Sequence, residues 1–368
     1  MTQARLEILM SALKKSNLDA IALNPGPTLR YLTGLQFHLM ERPVVFIAGA
    51  EGDSVFILPD LEMAKMESLP YKAQSFPYGE DPSKWGAAFE NAIQTLKLNG
   101  KRIGVEPRQI RLLEYQFVEA AAPEAQFPDA SEALAGLRIK KDAAEVALMK
   151  RAVQIAQEAL NASIPLIKVG MTEKDLAAEI VVQLLRHGSD SELPFQPIVS
   201  SGPNSANPHA SPEERKLQPG DMLVIDWGAA YSGYISDLTR TFAIGQVNDE
   251  LHKIHQIVQE SNAAGRAAAK PGISCAEVDK AARAVIEKAG YGQYFPHRTG
   301  HGIGMEAHED PYIRGDNMQL LEPGMAFTVE PGIYLMGRNG VRIEDNVVIT
   351  IKGADVLSDL PREMQVLS

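Results

Sequence analysis

The chain has 368 residues, of which 45% are hydrophobic and 23% charged, and this length is enough for two domains with cores of their own. Its formal net charge of −11 and the lack of basic runs exclude nucleic acid and anionic membrane surfaces as expected partners. We expect a cytoplasmic protein, because no signal peptide or membrane-spanning run is visible and the single cysteine, Cys275, cannot form an intramolecular disulfide.

The first third of the chain predicts a small α/β domain. Apolar residues at helical spacing predict a helix over residues 3–16, and the short apolar run DAIAL then predicts a strand. Two β-rich runs around a Gly/Asp turn, VVFIAGAEGDSVFILP, predict a hairpin. Helical patterns follow near residues 82–98 and 108–121. This alternation of strands and helices is typical of an α/β unit.

A domain boundary is expected in the segment FPDASEALAGLRIKKD, where Pro and Gly punctuation gives way to a long helical pattern. We place the boundary so that the predicted domains are residues 1–133 and 134–368. The helix that follows is expected to run from Asp142 to Ser163.

The second domain contains an internal duplication. KVGMTEKDL at 168–176 matches KPGISCAEV at 270–278, and LQPGDMLVID at 217–226 matches LEPGMAFTVE at 321–330, with offsets of 102 and 104 residues. Each copy starts with a capping-box pattern for a helix and ends in a strand that closes with an acid. We therefore expect two similar helix-plus-hairpin halves, packed about a pseudo-two-fold axis with their hairpins adjoining.

The first hairpin is predicted from the segment DWGAAYSGYISD, which has Asp226 and Asp237 on either side of a Gly-containing turn. If the turn is centred near Tyr231 and Ser232, the two acids face each other across the antiparallel ladder. Their carboxylates would then converge on one face of the sheet.

The second hairpin repeats this design, with Glu330 and Glu344 on either side of a turn near Gly337. Acids that merely solvate strand ends would explain one hairpin but not a pattern that recurs in both halves. Four converging carboxylates would repel one another and partly protonate without cations. The pattern therefore predicts a metal site.

Three histidines between the hairpins could add a nitrogen ligand. His297, His301 and His308 lie in HRTGHGIGMEAHEDP, and the glycines around His301 allow a close approach of the backbone. A single histidine is usually structural, but His301 would complete the set of acids. Four carboxylates and one imidazole suit two divalent ions, with Mn, Co or Zn favoured over copper. Two such ions can share a water and polarise a carbonyl, which is hydrolytic chemistry.

These motifs resemble those of the creatinase and aminopeptidase P group of metallopeptidases, which shares the pita-bread fold with the methionine aminopeptidases. The resemblance extends over essentially the whole chain. It implies an α+β architecture in which a smaller, creatinase-like α/β domain precedes the duplicated pita-bread catalytic domain. The family's five ligand positions correspond to Asp226, Asp237, His301, Glu330 and Glu344. Because all five are filled, a creatinase-like enzyme and a metal-free binding protein are disfavoured, and the N-terminal third disfavours a methionine aminopeptidase.

Three more histidines match the Xaa-Pro peptidase branch of this family. The resemblance implies that His209, in the segment ANPHA, and His308 contact the scissile peptide and its tetrahedral intermediate, while His297 lies beside the substrate. Hydrolysis needs donors of this kind where negative charge develops on the carbonyl oxygen. Ala307 departs from the motif, which commonly has a β-branched residue next to His308.

The resemblance also implies a division of labour among the ligands. Asp226 would chelate one ion, Asp237 and Glu344 would bridge both, and His301 and Glu330 would be terminal ligands. A hydroxide shared by the ions would attack the carbonyl before proline. Glu330 would accept the proton of that water, so that the expected catalytic residues are His209, His308 and Glu330.

Several neighbours of the ligands have predicted supporting roles. Arg342 lies two residues before Glu344 and Thr239 two residues after Asp237, so each could orient a carboxylate. Aromatic side chains that could line the proline pocket are Phe195, Tyr231 and Tyr234.

The resulting function is that of a metal-dependent exopeptidase that cuts the Xaa-Pro bond at the N-terminus of dipeptides or short peptides. A dipeptidase needs a cation for the free carboxylate of its substrate, and Arg314 is the candidate. We expect two divalent ions per chain, with Mn favoured, and the resemblance implies a homodimer. The alternatives are a hydrolase of a non-peptide amide on the same site and a metal-free binding protein that retains the fold.

Overall fold

The computed structural model describes residues 2–368 and divides the chain into two compact units, of which the first ends at Arg138 and the second is Ile139–Ser368. Residue 133, where we predicted the boundary, lies within the helix Ser131–Arg138, and the division into 1–133 and 134–368 stays a prediction. Among the helices described, none combines the length and the apolar character needed to cross a membrane.

The first unit contains a mixed five-stranded sheet with helices. Its elements are α1 (Thr2–Lys15), β1 (Ala20–Leu23), α2 (Pro27–Thr33), β2 (Val45–Gly49), β3 (Ser54–Pro59), β4 (Gln74–Tyr78), α3 (Trp85–Leu96), β5 (Ile103–Val105), α4 (Leu112–Ala121) and α5 (Ser131–Arg138). The strand order is β4-β3-β2-β1-β5, with β3–β4 and β1–β5 parallel and the other pairs antiparallel. The predicted hairpin is confirmed as the β2–β3 pair, and the two predicted helical patterns as α3 and α4.

The second unit begins with two helices that precede the first hairpin. The elements of this half are α6 (Ala143–Ser163), α7 (Glu173–Arg186), β6 (Ile198–Ser201), β7 (Met222–Trp227), β8 (Ala230–Tyr231), β9 (Tyr234–Ile235) and β10 (Leu238–Ile244). Asp142 caps α6 through a capping box with Glu145, so the helix starts one residue later than predicted. The fully buried Trp227 packs in the core that α6 and α7 share with this sheet.

The other half of the second unit has the same plan. Its elements are α8 (Asp249–Ala268), α9 (Cys275–Lys288), β11 (Gly300–Gly302), β12 (Glu309–Ile313), β13 (Ala326–Val329), β14 (Gly332–Leu335), β15 (Asn339–Arg342), β16 (Asp345–Thr350), β17 (Gly353–Val356) and β18 (Val366–Leu367). The sheets run β18-β10-β7-β6 in the first half and β12-β11-β13-β16-β17 in the second.

Equivalent contacts in the two halves confirm the duplication. Both predicted capping boxes form, at Thr172 with Asp175 and at Ser274 with Glu277. Each cap residue also forms an isolated bridge at equivalent positions, Thr172 with Lys216 and Ser274 with Leu320. The hairpins adjoin as expected, through a bridge between Thr239 and Glu344.

The register of the first hairpin corrects one prediction. Asp226 is opposite Thr239 rather than Asp237, because the turn is centred between Ser232 and Gly233 and not between Tyr231 and Ser232. Both turn residues have positive φ, 52° and 82°, as the favoured two-residue hairpin turn requires. Asp237 is thus a diagonal neighbour of Asp226, and the two carboxylates still reach the same cavity.

The second hairpin has the predicted register. Gly332 is opposite Arg342 and Val329 is opposite Asp345, so the turn is centred at Gly337, whose φ is 72°. The same register places Glu330 and Glu344 across from each other between the two ladders. This hairpin therefore brings its two acids together directly.

Candidate metal centre

A cavity of about 630 Å³ in the second unit contains all five predicted metal ligands, Asp226, Asp237, His301, Glu330 and Glu344. Asp226 lies on β7 and Asp237 immediately precedes β10, while His301 lies on β11, Glu330 follows β13 and Glu344 precedes β16. A Cβ on Gly300 would lie 1.8 Å from the carbonyl oxygen of Thr328, so only glycine permits the close strand approach that holds His301 here.

Atoms of the candidate ligands lie close enough together to hold a cation. Asp237, His301 and Glu344 each offer one atom within 4.8 Å of the others. His301 Nε2 is 3.2 Å from Glu330 Oε1 and 3.6 Å from Asp237 Oδ2. One imidazole therefore faces carboxylates from both halves of the unit.

Electrostatics explain why this set requires positive charge. Burial, with the charges of the neighbouring carboxylates, raises the pKa of Asp226 and raises those of Asp237 and Glu344 well above the ordinary values. Burial also acts to raise the pKa of Glu330, but a hydrogen bond with His301 and nearby basic groups outweigh it and lower that pKa to about 2. Three of the four acids are thus disfavoured as anions unless a cation compensates them.

Two carboxylate oxygens reveal where ligand positions are open. Oδ1 of Asp226 and Oε1 of Glu344 are buried without a hydrogen-bond partner in the described part of the chain. The other oxygen of each group is bound, since Arg342 donates to Asp226 Oδ2 at 2.6 Å and Thr239 Oγ1 donates to Glu344 Oε2 at 2.7 Å. Oriented, unpartnered, buried carboxylate oxygens beside an imidazole fit divalent metal ions.

Arg342 links the ligands to the rest of the site. Besides Asp226, its guanidinium donates to Thr239 Oγ1 at 3.1 Å, to the Tyr334 hydroxyl at 3.0 Å and to the Pro208 carbonyl at 3.2 Å. Arg342 therefore orients the carboxylate of the opposite hairpin, while Thr239 orients that of Glu344.

The predicted substrate histidines line the same cavity. The ring of His308 lies 4.1 Å from that of His301, and burial lowers the pKa of His308 to about 4. His297 is fixed by both nitrogens, at 2.9 Å from the Tyr334 hydroxyl and 2.7 Å from the Arg298 carbonyl, and burial lowers its pKa. His209 is exposed at the rim on a loop.

The other predicted substrate residues divide into two groups. Phe195 and Arg314 line the cavity, although Arg314 is 58% exposed and its Nε donates to Asp316 at 2.9 Å. Tyr231 is absent from the lining and packs on the core beneath α6 and α7, so its predicted place in the pocket is wrong. The hydroxyl of Tyr234 donates to Glu145 at 2.6 Å, which gives this tyrosine a structural role.

Sequence reasoning missed four residues of the site. Tyr334 joins His297 to Arg342, and Thr328 Oγ1 donates to Glu330 Oε1 at 3.2 Å. Asn346 Nδ2 donates to the Asp237 carbonyl at 2.6 Å and its Oδ1 accepts from the Asp237 amide at 3.0 Å. Strand alternation could have found Asn346, which lies two residues after Glu344. Arg298 also lines the cavity, with its guanidinium 4.6 Å from the ring centre of Tyr312.

Comparisons with known proteins agree with this geometry. Residues 147–351 match the family model of metallopeptidase family M24, and residues 5–140 match that of the Creatinase/Prolidase N-terminal domain. A Xaa-Pro dipeptidase from Lactobacillus delbrueckii subsp. lactis is 32% identical over 363 residues, which cover 98% of each chain.

Two solved structures are similar over nearly their whole length. A dipeptidase from Pyrococcus horikoshii has 38% identity and a TM-score of 0.93, with 99% of this chain and 100% of that chain covered. A prolidase from Thermococcus sibiricus has 33% identity and a TM-score of 0.94, with 100% of this chain and 99% of that chain covered.

Proposed function

The chain belongs to metallopeptidase family M24 and carries a creatinase-type N-terminal domain, and from this premise we propose that it is an exopeptidase that hydrolyses the Xaa-Pro bond at the N-terminus of dipeptides or short peptides. Its α+β fold, with the pita-bread catalytic domain after the smaller domain, is confirmed by the likeness to prolidase structures.

The observation that carries the proposal is the meeting of four carboxylates and His301 in one cavity, with two buried carboxylate oxygens left without partners among residues 2–368. Asp226, Asp237, His301, Glu330 and Glu344 would hold two divalent ions, with Mn favoured over Co and Zn because the donors are mostly oxygen. Bound divalent ions lower the pKa of water toward neutrality and polarise a carbonyl group.

The residues around these ligands can handle the proton and the developing charge. Glu330, which lies 3.2 Å from His301 Nε2 at the cavity wall, would accept a proton from the attacking water. His308, whose pKa is about 4, is uncharged at neutral pH and can donate a hydrogen bond to the carbonyl oxygen as it becomes negative. His209, at the rim, would supply a second donor to the substrate.

The preference for proline is supported by the chemistry of the cavity walls. His297 is held rigidly between Tyr334 and a backbone carbonyl, and Phe195 adds an apolar surface. The proline ring has little conformational entropy to lose on binding. A rigid, partly aromatic wall therefore suits this ring better than it suits a flexible side chain. The name of the Lactobacillus relative points to the same bond.

A preference for dipeptides requires a cation that binds the free carboxylate of the dipeptide. Arg314 was predicted for this role, and Arg298 is a second cation on the same wall. If either binds that carboxylate, R314M or R298M will raise KM for Ala-Pro more than for Ala-Pro-Gly-Gly. Equal effects on both peptides would show that neither arginine recognises the free carboxylate of a dipeptide.

The decisive experiment compares Ala-Pro, Ala-Pro-Gly-Gly and Ala-Ala as substrates, with Mn or Co added. We expect cleavage of the proline peptides and little of Ala-Ala, and loss of turnover in E330Q. No turnover of any proline peptide with either metal would overturn the proposal. Elemental analysis should find about two ions per chain, as a dinuclear site requires. We also propose a homodimer, which light scattering of the purified protein tests.

A further inference from the structure

His209 lies on a segment that contains one short 3-10 helix, Gly202–Ala206, and is irregular around His209 itself. Residues 201–213, here called the His209 loop, leave β6 and return toward the start of α7. The His209 side chain is exposed, and its backbone amide donates to Asn207 Oδ1 at 3.2 Å within the same loop. An exposed histidine on a loop can meet a substrate reproducibly only if the loop itself is held.

One buried carboxylate holds both ends of the His209 loop. Glu173, the first residue of α7, is 0% exposed. Its Oε1 accepts from the amide and the hydroxyl of Ser201, each at 2.7 Å. Its Oε2 accepts from the amide of Glu213 at 3.0 Å and from Asn204 Nδ2 at 3.1 Å. The Glu173 side chain thus contacts the His209 loop near its start, within it and at its end.

The chemistry of Glu173 suits this task. Four donors converge on two oxygens, and hydrogen bonds to an ionised acceptor are about twice as strong as neutral ones. The N-terminus of α7 adds a positive dipole at the carboxylate. The middle of the loop is held separately, because Ser205 Oγ accepts from the Gly340 amide at 2.8 Å and the Pro208 carbonyl accepts from Arg342.

The duplication shows that the fold itself does not need this carboxylate. The position equivalent to Glu173 in the second repeat is Cys275, which is also buried and also begins a helix. The backbone contacts are repeated, since Glu173 N donates to Arg215 O and Cys275 N donates to Gln319 O, both at 3.0 Å. The same backbone arrangement therefore forms with a thiol, and the carboxylate is present only in the half that carries the His209 loop.

We propose that Glu173 is a positioning residue for His209, which acts by tying both ends of the His209 loop to the start of α7. The inference rests on the proposed function, because it takes His209 to contact the substrate. Glu173 itself lies outside the cavity lining and touches neither the metal ligands nor the substrate wall.

A double-mutant cycle tests the proposal. In E173Q an NH2 group replaces one acceptor oxygen. Because the NH2 group is itself a donor, it cannot accept the hydrogen bonds from Asn204 Nδ2 and the Glu213 amide. We expect kcat/KM to fall by about 10- to 100-fold, the loss that a displacement of about 1 Å can cause. In an H209A background the same substitution should change kcat/KM less than about twofold, because there is no histidine left to position.

Two further measurements separate positioning from general damage. Hydrogen exchange should be faster in E173Q at the amides of Ser201 and Glu213, while metal content and the amides of β7 stay as in wild type. E179Q is the matched control, because Glu179 lies on the same helix and accepts from Gln183, and it should behave as wild type. If E173Q does not fold, E173C replaces it, since the second repeat has cysteine at the equivalent place.

The outcomes are distinct. An equal loss from E173Q with and without His209, or wild-type activity in E173Q, would overturn the positioning role while H209A still reports on the proposed function. Wild-type activity in H209A would overturn the role of His209 in the proposed function, and the positioning role with it. We expect E173Q to lower kcat/KM less in the H209A background than in the wild-type background. We also expect faster hydrogen exchange in the His209 loop of E173Q.

Discussion

Arg342 binds only one of the two oxygens of Asp226. Its guanidinium donates to Oδ2 at 2.6 Å, whereas Oδ1 is buried and has no hydrogen-bond partner in the described chain. The carboxylate cannot rotate without breaking a charge-assisted hydrogen bond. One oxygen is therefore held by the protein, and the other is aimed into the cavity.

Loss of the Arg342 guanidinium should weaken metal binding. We expect R342M to raise the Kd for Mn by about 10- to 100-fold, the usual effect of removing a residue that orients a metal ligand. Calorimetric titration of the metal-free protein measures it. R338M is the control, because Arg338 lies on the same hairpin, is exposed and pairs with Glu250. Equal Mn affinity in R342M and wild type would contradict the orienting role.

Substitution of Glu344 should have opposite effects with and without metal. Burial and the neighbouring carboxylates raise its pKa well above the ordinary value, so its negative charge is unfavourable in the metal-free protein. E344Q keeps an acceptor for Thr239, removes the unfavourable charge and should therefore raise the free energy of unfolding of that form.

With metal present the order should reverse. Mn at about 100 times its Kd should stabilise the wild-type protein by roughly 2.7 kcal/mol, and E344Q should lose most of this gain because it lacks a charged ligand. Urea unfolding with EDTA and with Mn gives both values. A metal-free E344Q that is less stable than metal-free wild type would refute the account of repulsion.

The buried ion pair of Lys141 and Glu309 supports the loop between His301 and His308. Lys141 Nζ is 2.7 Å from Glu309 Oε1, with side-chain exposures of 2% and 6%, and Glu309 is paired through its backbone with Gly302. K141M should cost about 3–5 kcal/mol in unfolding free energy, because it removes the cation that compensates a buried carboxylate.

The double variant K141M/E309Q should recover much of that loss, since no buried charge is left. K140M serves as the control. Lys140 pairs with Glu322 at the surface, with exposures of 50% and 53%, and should contribute less than about 1 kcal/mol. Urea unfolding of the four proteins decides the matter; a K141M loss no larger than that of K140M would show that the buried pair is dispensable.

His255 should make the protein less stable in mild acid. Burial lowers its pKa to about 4, and its Nε2 lies 3.3 Å from the Thr241 carbonyl. The unfolded value is about 6.5, so the unfolded chain binds a proton that the folded protein refuses. The stability that neutral His255 contributes is therefore fully present above about pH 6.5 and is lost as the pH falls toward 4.

At pH 5 the loss due to His255 is about 2 kcal/mol relative to pH 7. H255Q should show a correspondingly smaller drop between these pH values in urea unfolding experiments. H38Q changes an exposed histidine of the first unit that does not contribute to the pKa of His255, and it should retain the wild-type drop. An identical drop in H255Q and wild type would mean that His255 is not the group responsible.

The repeat architecture of the second unit could be predicted from the sequence more fully than the register and side-chain contacts within it. The repeated motifs revealed the duplication, and the acid at the end of each matched strand indicated the site. Both signals are local and can be seen in the sequence. The register of the first hairpin was predicted one residue early, since Ser232 adopts a positive φ that serine rarely takes.

The sequence predicted that the two hairpins adjoin, but not which side chains meet between them. Arg342 meets Asp226 across 116 residues of chain, and only the packing of one hairpin on the other decides which carboxylate it reaches. The supporting role of Tyr334 has the same origin. Such pairings depend on the mutual orientation of two sheets, which no local pattern encodes.

The bridge between Thr239 and Glu344 joins the two hairpins at the point where the ligands are divided, two from the first half and three from the second. Neither half alone holds all five candidate ligands. If the chain were cut at the exposed Gln246, between β10 and α8, tight metal uptake would require reassociation of both fragments. The metal centre would then act as a reporter of fragment complementation, with an affinity that depends on protein concentration.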